Sequence, residues 1–222
     1  MINFDIQYVS RLFSILFRYL HVTMSISIFS MIIALFLGVL LALVRVSKVK
    51  TIYFFSNLYV SFFRGTPLIA QLFLLYFGFP QVIPLLKNLD AYTIAIIGLG
   101  LNASAYMSES IRAAINSIDK GQMEACLSVG MSYGQAMRRI IFPQAARVAL
   151  PSIANNFIDI VKGSSLAFTI GVAEIMGKAQ MEGASSYRLF ESYLAVALLY
   201  WIVIIIFEYI QKVLERKMNA AY

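Results

Sequence analysis

Apolar residues fill four long runs, 22–44, 52–79, 91–112 and 193–209, each bounded by polar or turn-forming residues. A helix crosses a hydrocarbon core of about 30 Å with about 20 such residues, so each run predicts a transmembrane helix. A fifth span is expected from Gln144 onward, although its body, ALPSIANNFIDIVKGSSLAF, is unusually polar and Pro151 should kink it. Between the spans, residues 80–90 carry two prolines, Lys87 and Asp90 and read as an external connection. Residues 171–192, with Glu174, Lys178, Glu182, Arg188 and Glu191, predict an external loop or a re-entrant helix. Ahead of the first span, Arg11, Ser14, Arg18 and His21 recur at helical spacing. Residues 1–20 are therefore an amphipathic helix on the membrane surface or an extension of the first span with snorkelling arginines. No basic region precedes a cleavage site, so no removable signal peptide is expected.

One polar segment, residues 119–143, separates the third and fourth spans. Asp119 with Gln122 and Ser132 with Gln135 have capping-box spacing, which predicts two short helices. Gly130 is the expected bend between them, and Pro143 the expected stop. Glu124 is expected in the first helix's opening turn, where a carboxylate complements the helix dipole. The segment is too polar to lie in lipid and too well capped for a slack loop. It reads as a docking surface at the membrane edge.

Composition agrees. Of 222 residues 60% are hydrophobic and 13% charged, with mean hydropathy +0.79, against about half and a quarter in soluble domains. A single membrane domain spanning 1–222 is expected. The net charge of +7 resides at span ends rather than in a nucleic-acid-binding patch. Five spans with the N-terminus outside put twelve of the eighteen Lys and Arg inside, including Arg45, Lys48 and Lys50, which close the first span. That topology leaves the C-terminus and the 119–143 segment in the cytoplasm. With one His (His21), one Cys (Cys126) and no G-x4-G-K-S/T loop, the chain is expected to be neither a hydrolase, a zinc protein nor a nucleotidase.

Polar residues inside spans mark protein interiors or solute paths, because lipid does not satisfy them. Thr66 belongs to a Phe63-Arg64-Gly65-Thr66-Pro67 interruption, which is either a helix kink with Arg64 snorkelling or a path-facing break. Asn102, Tyr106 and Glu109 share one helical face. Glu109 either faces the path or pairs with Arg112. Asn155, Asp159 and Lys162 share another face, followed by Gly163, Ser164 and Ser165. The Asp159–Lys162 pair is either a contact surface for a zwitterion or a brace for a helix break.

The sequence Glu124-Ala125-Cys126, then Gly130, then Ile140-Ile141-Phe142-Pro143 resembles the EAA loop of ABC-importer membrane subunits. Cys126 replaces the second Ala of that motif and Phe142 its Leu. RGTPLIAQ and AYMSESIRAAI resemble the polar amino acid permeases within that family. IDKGQMEA, MRRIIFPQAARVALPS and ALLYWI are most similar to the L-cystine permeases. KGSSL departs from the family's Lys, Asp or Asn, Thr or Ser, Ser, Leu.

The resemblance implies an all-α, MetI-like, type I ABC-importer permease in the bacterial cytoplasmic membrane. Glu124, Ala125, Gly130, Arg138 and Pro143 would couple it to an ATPase dimer that holds ATP and Mg. Thr66, Asn102, Glu109, Asn155, Asp159, Lys162, Ser164 and Ser165 would line the substrate path. A second permease subunit and an extracytoplasmic substrate-binding protein are the further partners. The competing reading is an ion-coupled carrier with Asp159, Lys162 and Glu109 as a relay. Such carriers are usually built from inverted repeats, and none is visible in this sequence.

Overall fold

The computed structural model describes residues 4–46 and 50–219; Lys48 lies outside them. Helix α1, Ile6–Val46, is unbroken over 41 residues, roughly 60 Å at 1.5 Å per residue. Residues 6–20 are thus an extension of the first span rather than a separate surface helix. Leu12 and Leu16 are buried there among Ile175, Ala195 and Leu199. Helix α2, Lys50–Gly65, and helix α3, Leu68–Val82, meet at a 109° bend. The 52–79 run is therefore a broken element, not one straight span. Pro67 has an extended backbone at the break and lacks an N–H to carry the ladder across it.

A short 3-10 turn, Pro84–Asn88, leads to α4, Ala91–Asn116. Asp90 caps α4 by accepting the Thr93 amide at 3.2 Å, and its contacts with Thr93 hold its carboxyl below the usual range. Next come α5, Lys120–Ser128, and α6, Tyr133–Ile170. After Gly171, left-handed at φ +96°, the chain bends 50° into α7, Ile175–Ser186. The 171–192 stretch is thus mainly helical, and α7 packs on α1 and α8, Leu189–Asn219.

Pro143 does not end its helix. Turns Leu74–Gly78 and Met137–Ile141 are π-helical, and each precedes a proline, Pro80 or Pro143, by two residues. Phe79 and Phe142 donate to the carbonyls of Leu74 and Met137, five residues back. Widening the ladder here makes room for a ring that otherwise strikes the carbonyl four residues earlier. Helix α6 continues through Pro151 before tightening to a 3-10 turn at Ser164–Ile170.

Among the described residues, Ile6–Val46 and Leu189–Lys217 are each long and apolar enough to cross a membrane alone. The pairs α2–α3 and α6–α7 qualify as broken spans or re-entrant loops, which gives up to four crossings by length and composition; α4, expected as a span, is not among them. Small residues join α1 to α4: Ser27, Ser30, Ala34 and Gly38 are all buried. A methyl group on Gly38 would lie 3.0 Å from Met107 Cβ, and one on Gly100 would lie 2.8 Å from Ile33 Cβ.

Candidate functional site

The α2–α3 break is closed by side chains. Gln71, buried on α3, donates to the Phe63 carbonyl at 3.0 Å, the Thr66 carbonyl at 3.1 Å and Thr66 Oγ1 at 2.8 Å. These acceptors are the carbonyls that the interrupted helix leaves without partners. Asn102 on α4 donates to Gln71 Oε1 at 2.9 Å and to the Phe63 carbonyl at 3.1 Å. Thr66 and Asn102 therefore come together through Gln71. A lone Gln in the run LIAQLF was its only sequence signal.

Beside this clamp lies a cavity of about 320 Å³, lined by Leu68, Leu99, Asn102, Ala103, Tyr106, Asn156, Asp159 and Ile160. Asp159 accepts from Lys162 Nζ at 2.7 Å, and both side chains are more than half exposed. The remaining predicted path residues diverge from it. Asn155 turns toward α8, where Gln211 donates to it at 3.4 Å, and its neighbour Asn156 lines the cavity instead. Ser164 is fully buried and donates to the Val161 carbonyl, while Ser165 donates to that of Lys162.

Glu109 lies in a neighbouring cluster with more partners than the expected Arg112. Its carboxylate is 2.9 Å from Arg45 on α1, 3.1 Å from Arg64 on α2 and 2.7 Å from Arg112. Arg45 also donates to Asn57 at 2.8 Å. Glu109 and the Asp159–Lys162 pair thus have separate partners and do not form one relay. The Arg45 and Arg64 pairings span long sequence separations, beyond the reach of periodicity.

The 119–143 segment carries its five singled-out residues, Glu124, Ala125, Gly130, Arg138 and Pro143, on its exposed surface. Ser132 and Gln135 form the expected capping box, with bonds of 2.9 and 3.3 Å. Asp119 makes a simpler cap, accepting from the Gly121 amide at 2.6 Å. Gly130 has φ +83°, the left-handed bend expected of it. Glu124 falls beyond the first turn of α5, so the dipole does not account for it. Beneath this surface, Met137, Ile141 and Ala145 pack on Ile115 of α4, with Val46 of α1 against them. The segment is seated firmly on the helix ends while Leu127, Val129 and Tyr133 stay exposed.

A further polar centre escaped sequence reasoning. Glu174, expected in an external loop or a re-entrant helix, is fully buried. It accepts from Thr23 Oγ1 at 3.2 Å, Tyr200 Oη at 2.8 Å and the Gly177 amide at 2.8 Å, joining α1, α7 and α8.

Known proteins are similar to this chain. The probable amino-acid ABC transporter permease PatM of Vibrio harveyi is 56% identical over 99% of both chains. The L-cystine transport system permease TcyB of Bacillus subtilis is 39% identical, covering 90% of this chain and 85% of its own. A solved amino acid ABC transporter with histidines superposes with TM-score 0.90 at 33% identity, covering 97% of this chain and all of the other. The fold is thus the all-helical, MetI-like fold of type I ABC importers. The family model for the inner membrane component of binding-protein-dependent transport systems matches residues 34–220, and the chain belongs to that family of non-catalytic, multi-pass membrane permeases.

Proposed function

We propose that this chain forms the translocation path of an ATP-driven amino acid importer, with L-cystine as the preferred substrate. It spans the membrane five times, with α1, α4 and α8 as single spans and α2–α3 and α6–α7 as one broken span each. The N-terminus is outside, and the 119–143 segment is cytoplasmic. An ATPase dimer holding ATP and Mg docks on that segment, at Glu124, Ala125, Gly130, Arg138 and Pro143. A second permease subunit completes the path, and an extracytoplasmic binding protein delivers the substrate.

The observation that carries this reading is the seating of the docking segment. Its outer face offers the EAA residues, while its inner face is packed onto α1 and α4. A push on the outer face therefore moves the span ends rather than deforming a loop. The cavity beside Asp159 supplies polar groups for a zwitterion at the Gln71–Asn102 clamp. Similarity to TcyB supports cystine; the arginine permease ArtQ of the same bacterium, at 38% identity, makes arginine the competitor to test.

The test is uptake of labelled L-cystine and L-arginine into proteoliposomes holding this chain, its ATPase and its binding protein. Wild type should import L-cystine only with ATP. Gly130→Asp should abolish uptake while the purified chain stays folded with a modestly lowered unfolding midpoint, because a side chain at φ +83° strains an exposed bend outside the core. Uptake that follows an ion gradient without the ATPase would overturn the importer reading. ATP-driven uptake of arginine alone would replace the substrate and keep the mechanism.

A further inference from the structure

We propose that Arg64 and Arg112, backed by Arg45, form a carboxylate-binding station for the transported amino acid, with Glu109 as its built-in competitor; this rests on the importer reading above. Three guanidinium groups here face one carboxylate. Glu109 Oε1 takes Arg45 at 2.9 Å and Arg64 at 3.1 Å. Its Oε2 takes Arg112 Nε at 3.0 Å and Nη2 at 2.7 Å. These contacts use the roughly four lone-pair sites a carboxylate offers, whereas each guanidinium brings about five N–H donors. The cluster keeps two positive charges beyond what Glu109 neutralises. Arg45 Nη1 is also buried without an acceptor.

The surplus charge is accessible. Arg64 and Arg112 side chains are 44% and 38% exposed, against 9% for Arg45. Arg64 and Glu109 line two adjoining cavities of about 640 and 460 Å³, the first shared with Arg112 and the second with Arg45 and Tyr106. Tyr106 also lines the 320 Å³ cavity that contains Asp159. The Arg64 guanidinium is 5.5 Å from its ring centroid. Tyr106 thus lines both an arginine-bearing cavity and the one that holds Asp159, whose carboxylate is 2.7 Å from Lys162 Nζ.

Glu109 makes the station reversible. An incoming carboxylate takes Arg64 N–H groups from Glu109, and Glu109 reclaims them when the ligand leaves. No proton moves in this exchange. Without Glu109 the surplus charge would retain the ligand.

The test is direct binding to the purified permease–ATPase complex in nanodiscs, without the binding protein. Labelled L-cystine and L-arginine serve as probes, L-cystine compared with its bis-carboxamide and L-arginine with its α-carboxamide, neither of which carries a carboxylate. Arg64→Gln should weaken binding of the amino acid by about tenfold or more and leave carboxamide binding unchanged, as expected for a lost charge-assisted contact. Glu109→Gln should tighten amino acid binding and slow ATP-driven import. A merely structural cluster would weaken both ligands together in both variants, which overturns the proposal. Import by wild type without direct binding of either amino acid to the complex overturns it too, leaving the importer reading intact. Absence of both import and binding removes both readings. If Glu109→Gln does not fold, the Arg64→Gln comparison between acid and amide decides alone.

Discussion

Gln71 shows how one side chain makes an interrupted helix compatible with a membrane. The break at Gly65–Pro67 strips carbonyls of their partners, and Gln71 supplies a donor to two of them and to the Thr66 hydroxyl. Gln71→Leu keeps the side chain buried but withdraws those bonds, and a buried unsatisfied polar group costs about 1–3 kcal/mol. We expect a lower unfolding midpoint for the purified chain in detergent and altered substrate binding, since Asn102 loses one of its two acceptors. An unchanged midpoint would show that the break is held by packing alone. Glu174 makes the same argument at the α7 elbow. Glu174→Ala removes the carboxylate that accepts from the Thr23 and Tyr200 hydroxyls and should destabilise by about 1–3 kcal/mol. Glu174→Gln keeps two acceptor lone pairs and should cost less, as thermal unfolding of the two variants will show.

Between elements, contact is set by the absence of side chains. Helix α4 lies so close to α1 that a Cβ on Gly100 meets Ile33 Cβ at 2.8 Å and the Ser30 carbonyl at 3.2 Å. The first is a branch point beside the backbone, not a flexible tip. Gly100→Ala should therefore force the helices apart and destabilise by about 1–3 kcal/mol, despite the better helix propensity of Ala. Chemical unfolding that finds the variant equally stable would refute this close approach. The α1 half of the contact was legible in the sequence, because Ala34, Gly38 and Ala42 recur at helical spacing. So were the Ser132–Gln135 box and the Gly130 bend, which depend on residues a few positions apart. Proline effects were legible only as interruptions. Pro67 became a 109° bend and Pro143 a π turn inside a continuing helix, because neighbouring structure decides how the lost bond is replaced. Glu174 and the Arg45 and Arg64 contacts of Glu109 were illegible, since those partners come from remote segments, and Gln71 because its acceptors lie across a helix break that periodicity does not follow.

At the scale of the whole molecule, charge sets the direction of crossing. Helix α4 is 26 residues long, about 39 Å, with the Pro84–Asn88 turn before its start and the docking segment beyond its end. Arg45, Arg64 and Arg112 meet around Glu109 toward the docking end, and Lys120, Arg138 and Arg139 follow in that segment. Lys87 is the only Lys or Arg in the Pro84–Asn88 turn. Lys and Arg are retained on the cytoplasmic side, so this asymmetry accords with the orientation proposed above, with the 119–143 segment inside. Two exposed side chains make the orientation measurable: Leu85, 80% exposed in the turn, and Val129, 78% exposed in the docking segment. In a Cys126→Ala background, which removes the chain's only native thiol, each position is changed to Cys. Intact cells, with any outer membrane permeabilised, are treated with a membrane-impermeant maleimide. Leu85→Cys should label in these cells, and Val129→Cys only after the cytoplasmic membrane is opened. The reverse pattern would place the docking segment outside, away from ATP, and would remove the ATPase coupling on which the importer reading depends.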